Sequence, residues 1–116
     1  AIQAIVIKDE LFKRYRNNQD FIQKYIFPGG FLPSLESIKN YSKKTGLVLK
    51  SYNSYGNHYS RTLSRWRKNF ISSWEQISKQ GFDNSFKKIW DFYFSYCEAG
   101  FNSKNIDLIQ FSVRNK

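Results

Sequence analysis

A β-branched run, Ile2 to Ile7 (IQAIVI), opens the chain and constrains its fold more than anything that follows. Apolar side chains at nearly every position read as a strand buried on both faces rather than one half-exposed. Such a strand is central to a sheet and wants a neighbour on each side. Only two later segments read as strands. Leu47 to Tyr55 alternates and is β-prone, and Ile106 to Val113 sets Ile106, Leu108 and Gln110 against Asp107, Ile109 and Phe111. Three strands leave edges unpaired, so the chain reads as the back half of a doubly wound α/β sheet.

Helical patterns fill the space between the strands. Asp9 is placed to cap a helix carrying Leu11, Phe12, Tyr15, Phe21, Ile22 and Tyr25, with Asn17-Asn18 as a candidate break. Phe27-Pro28-Gly29-Gly30 must end it, because proline and paired glycines do not continue a helix. Ser34 is the expected cap of a second helix, Leu35 to Lys44, with Gly46 as its stop. Tyr59, Leu63, Trp66, Phe70, Trp74 and Ile77 then recur at three- and four-residue steps, opposite Arg61, Arg65 and Lys68. Gly81 closes that helix. A last one opens near Asp83 and carries Phe86, Ile89, Trp90, Tyr93, Cys97 and Phe101. The expected order is strand, helix, helix, strand, helix, helix, strand: three strands and about four helices.

Composition narrows the function classes. At 116 residues and 13.9 kDa the chain makes one small domain, and 41% apolar with 19% aromatic residues excludes a disordered tail. No apolar run reaches the length of a membrane span, and no charged-then-apolar leader is visible. One cysteine and one histidine give neither an internal disulfide nor a zinc site, so a reducing, cytosolic setting is expected. Neither GxGxxG, GxSxG, CxxC nor HExxH occurs, and the nine carboxylates are scattered. The chain starts at Ala1 and holds no methionine, from which we expect that something precedes it. The formal net charge is +10. Between Glu36 and Glu75 there is no acidic residue, while Lys39, Lys43, Lys44, Lys50, Arg61, Arg65, Arg67 and Lys68 all fall there. Such a run is either a solvated face or a surface for an anionic partner, phospholipid or nucleic acid.

Five strings stand out in order: IQAIVIKDELFKRYR, DFIQKYIFPGGFLPS, HYSRTLSRWRKNF, FDNSFKKIWDFYFSYCEAGF and IDLIQFSV. Together they resemble the C-terminal portion of the cyclopropane-fatty-acyl-phospholipid synthase family, S-adenosylmethionine-dependent methyltransferases. The resemblance implies that Ile2 to Ile7, Leu47 to Tyr55 and Ile106 to Val113 are the fifth, sixth and seventh strands of a Rossmann-like class I methyltransferase sheet. It implies that residues 1–116 are the C-terminal part of a catalytic domain whose cofactor-binding half is absent here. The implied chemistry is transfer of a methylene to an unsaturated phospholipid acyl chain: the alkene attacks the sulfonium methyl, and a bound bicarbonate removes a proton as the ring closes. Tyr59 matches the family's active-site tyrosine, and Ile5 a position whose backbone serves the bicarbonate site. Gln3 stands where other members have histidine; glutamine donates a hydrogen bond but relays no proton near neutral pH. No residue here is expected to bind the cofactor, and no metal is implied.

The plain readings of these residues are structural. Tyr59 begins an apolar stripe, Gln3 lies in a strand, Cys97 sits on an apolar helical face as an inert thiol, and His58 is a helix-start residue. The resemblance implies an enzyme peripheral at the inner membrane face, in the cytoplasm, with anionic phospholipid and the N-terminal half of the same protein as partners. The chain alone is expected to be inactive and to hold neither S-adenosylmethionine nor bicarbonate tightly. Unpaired sheet edges add a homodimer to the candidate partners. Two alternatives are a basic stand-alone module for nucleic acid or anionic surfaces, and a methyltransferase with a non-lipid substrate. Nucleic acid is not expected, since no RNP, KH, helix-turn-helix or zinc-finger signature is present.

Overall fold

The computed structural model describes residues 1–116 as α/β, in the order β1 (Ile2–Ile7), α1 (Asp9–Arg16), α2 (Phe21–Tyr25), α3 (Leu35–Lys44), β2 (Leu47–Ser54), α4 (Gly56–Ser72), α5 (Trp74–Ser78), α6 (Asn84–Asn102), β3 (Ile106–Asn115). The strands stand in the order β1-β3-β2, both outer strands running antiparallel to β3. β3 is therefore the middle of the sheet.

Strand alternation sorts the core into two clusters. On one face Val6, Ile109 and Phe111 pack with Leu35 and Ile38 of α3 and with Leu49. On the other, Leu63, Phe94, Cys97 and Phe101 from α4 and α6 pack with Ile5, Ile106 and Leu108. Three layers result: α3, the sheet, and the α4–α6 pair. The core is shallow, with 12 of 116 residues buried. The radius of gyration is 16.7 Å, above the ~13 Å of a compact domain this size. The chain is elongated, with a longest extent of 53 Å.

Within these residues β1 is an outer strand, as expected of a partial sheet: Val6 and Ile7 are buried and Ile2 is 48% exposed. Three expectations are corrected. Asp9 does not cap α1; Lys8 occupies that position, and the Asp9 carboxylate instead accepts the Glu36 N–H at 3.0 Å, tying α1 to α3. The first helical stretch is two helices, because Asp20 forms its own capping box with Gln23 after the break that follows Asn17. The Tyr59–Ile77 stripe is also divided, at Ser73, so six helices replace the expected four. Ser34 and Asp83 cap as expected, Ser34 through a reciprocal box with Ser37. Gly46 and Gly81 end their segments at positive φ.

Candidate functional site

The stripe that builds α4 turns Tyr59 and Leu63 toward the sheet, and the stripe of α6 turns Tyr93, Cys97 and Phe101 the same way. Between these helices, β1 and the Phe27–Leu32 turn lies a cavity of about 130 Å³. Ile5, Tyr59, Leu63, Tyr93, Cys97 and Phe101 line it, with Phe27 and Phe31 at the turn. The wall is apolar except for three phenols, one thiol and the polar groups of Asp20 and Gln23.

Tyr59 is held by edge-on contacts with Phe101, centroids 5.0 Å apart, and Trp66, 5.8 Å apart. Burial raises its pKa, with Cys97 adding to the effect. Its hydroxyl therefore stays protonated at neutral pH and can donate a hydrogen bond to an anion. Tyr93 is raised further, again chiefly by burial, and the Cys97 thiol is pushed up to about 11 by burial against a smaller opposing pull from Tyr93. No thiolate nucleophile forms here near neutral pH.

Ile5 contributes in two ways. Its side chain faces the cavity. Its backbone is free, which follows from strand geometry: Ile7 donates its N–H outward to the Pro33 carbonyl at 2.9 Å, while Leu108 opposite Ile5 accepts from Tyr55 on the β2 side. By the two-residue repeat, the N–H and C=O of Ile5 and Gln3 also point outward from the sheet. The Gln3 side chain lies outside the cavity lining, exposed, with its Oε1 accepting from Gln110 Nε2 at 2.9 Å. The structure thus brings Ile5 and Tyr59 to one cavity and pairs Gln3 with Gln110 beside it. His58 lies in the first turn of α4, its ring against Tyr55.

Sequence reasoning missed the clasp that closes the cavity. The Tyr15 hydroxyl accepts the Leu32 N–H at 2.9 Å and a Gln23 Nε2 hydrogen bond at 3.2 Å, and Gln23 Nε2 also donates to the Gly30 carbonyl at 3.0 Å. Periodicity alone could not join residues on two helices to a turn.

The one glycine that follows a strand and opens a helix is Gly56, and its open side is filled: a Cβ there would lie 2.5 Å from Asp107 Oδ1. No group of three His, Cys, Asp or Glu is gathered as metal ligands. No helix is long and apolar enough to cross a membrane.

Residues 1–111 match the family model for mycolic acid cyclopropane synthetase. The chain is 40% identical over 114 residues to tuberculostearic acid methyltransferase UfaA1 of Mycobacterium tuberculosis, covering 97% of this chain and 27% of that protein. It is 32% identical over 94 residues to the cyclopropane-fatty-acyl-phospholipid synthase of Escherichia coli, covering 81% and 24%. The chain thus spans about a quarter of the length of these curated relatives. Mycolic acid cyclopropane synthase CmaA1, solved with SAH and CTAB, superposes with a TM-score of 0.81 at 25% identity, over 98% of this chain and 42% of that one. Cyclopropane synthase MmaA2 from Mycobacterium tuberculosis gives 0.80 at 26%, over 96% and 42%.

Proposed function

The chain belongs to the mycolic acid cyclopropane synthetase family, and on that footing we propose that it is the C-terminal part of an enzyme transferring a one-carbon unit from S-adenosylmethionine to the double bond of an unsaturated phospholipid acyl chain. The observation that carries this is the cavity: apolar walls suited to an alkene, with the protonated Tyr59 hydroxyl and the Ile5 edge beside it. Bicarbonate, where bound, would supply a base, and Tyr59 and the Ile5 backbone are the groups here fit to hydrogen-bond it. The cofactor site lies in a part of the protein outside residues 1–116, so the chain alone neither binds the cofactor nor turns over. We place the enzyme on the cytoplasmic side of a membrane, peripherally.

A second reading, a methylene branch rather than a ring, is favoured by Gln3. The alkene attacks the sulfonium methyl, a hydride shift moves the cation to the carbon that bears the new methyl, and loss of a proton from that methyl to a base gives the branch without a reductant. The Gln3 side chain relays no proton and is engaged by Gln110. That outcome also suits the activity named for the relative at 40% identity.

One series tests both. The full chain, as the cell makes it, is given cofactor and unsaturated phospholipid, and the acyl products are resolved by mass spectrometry. Tyr59→Phe should lower kcat by about a hundredfold, the loss typical of a removed anion donor. Gln3→His should shift product from methylene-branched toward cyclopropane. Unchanged turnover in Tyr59→Phe would remove Tyr59 from the site, and no one-carbon product on any lipid would overturn the lipid reading in favour of a non-lipid substrate. Residues 1–116 alone, titrated calorimetrically with cofactor, should give no binding heat.

A further inference from the structure

On the side of α4 opposite Tyr59, Leu63 and Phe70, a surface groove of about 520 Å³ runs between α4 and α6. No apolar side chain lines it. Arg61, Arg65 and Lys68 project into it from one helical face, joined by Ser60, Ser64, Asn57 and Asn102, with Glu98 as its one carboxylate. The neighbouring cation, Arg67, is already engaged: its Nε donates to Asp91 at 2.6 Å. None of the three groove cations has an ion-pair partner. Arg61 and Arg65 stand four residues apart, a spacing at which like charges on a helix repel. Three unneutralised cations, converging on a groove with four more hydrogen-bonding side chains, are complementary to an anion from outside the chain.

We propose that this groove holds the phosphate of an anionic lipid headgroup, seating the outer face of the α4–α6 pair on a membrane surface. The proposal rests on the lipid reading of the function and locates the surface that reading requires. Two features favour a headgroup over a nucleic acid. Glu98 sets a carboxylate among the cations, which suits a headgroup bearing hydroxyls beside its phosphate and opposes a run of phosphates. Ile71, one turn beyond Lys68 on the same side and 43% exposed, offers an apolar contact at the interface.

The test measures binding of the full chain to vesicles of phosphatidylglycerol mixed with phosphatidylcholine, against phosphatidylcholine alone. The triple variant Arg61→Ala, Arg65→Ala, Lys68→Ala should bind the anionic vesicles about a hundredfold more weakly, as expected when three charges leave such a surface. The variant Lys43→Ala, Lys44→Ala, Lys50→Ala removes equal charge elsewhere and should lose less than about tenfold. Equal losses in the two would overturn the groove. Glu98→Gln should tighten binding several-fold, and guards against a triple variant that fails to fold; no change there also overturns the groove. Release of the protein from vesicles by millimolar inorganic phosphate would overturn the headgroup and assign the groove to soluble phosphate, and equally tight groove-dependent binding to duplex DNA would assign it to nucleic acid. Vesicle binding needs no turnover. Groove-dependent binding without a lipid product would sink the proposed function alone, and lipid product without groove-dependent binding would sink this proposal alone.

Discussion

Cys97 is 6% exposed and lies on the cavity side of α6, beside Tyr93. Its pKa is raised to about 11, first by burial. A raised value keeps the neutral thiol through neutral pH, and thiolate appears only as pH climbs toward that value. Iodoacetamide should therefore leave Cys97 unmodified at neutral pH in the folded protein, with the rate rising steeply above about pH 9; rapid alkylation at neutral pH, followed by mass spectrometry, would contradict the assignment. Cys97 is legible as a core thiol because it repeats the apolar stripe of its helix. Tyr59 shares such a stripe, and nothing in spacing separates it from Leu63. Only the HYSRTL string distinguishes it. Tyr15 and Gln23 give no signal, since Tyr15 and Leu32 meet across 17 positions without periodicity.

Among the elements, α4 is fixed at its first residue by a contact from the end of the chain. Asp107 on β3 accepts the Gly56 N–H at 2.9 Å and the Ser54 hydroxyl, so one carboxylate joins the last residue of β2, the start of α4 and β3. Gly56 is buried against it. Gly56→Ala should cost about 1–3 kcal/mol, the range for overpacking a closed site. Asp107→Ala should cost more than Asp107→Asn, since asparagine keeps one acceptor for the Gly56 N–H. Urea midpoints check both, and a Gly56→Ala variant as stable as the parent would refute the contact. The caps at Ser34 and Asp83 are readable because residue type and position coincide there. The break at Ser73 is not, because Trp74 and Ile77 keep the helical period across it.

For the whole molecule, the faces of the sheet are written in the alternation of its residues, whereas the order of its strands is not. Alternation tells which side a residue faces and says nothing of which strand lies next to it. The outward edge of β1 pairs only at Ile7, with Pro33 and Ser34. An open apolar groove of about 780 Å³, lined by Ile2, Phe12, Phe31, Ile38, Leu47 and Phe111 among others, lies by the same strand. An unpaired edge beside apolar surface favours pairing between copies. Residues 1–116 alone should therefore self-associate with rising concentration in sedimentation, and a clean monomer at high concentration would count against it. The central place of β3 has a further consequence, for the order of events during synthesis. β1 and β2 leave the ribosome before β3, yet neither pairs with the other. Gln3 waits for a partner 107 positions away. Pairing among these three strands waits until β3 is translated, and a stop before Ile106 would leave β1 and β2 without the neighbour they share.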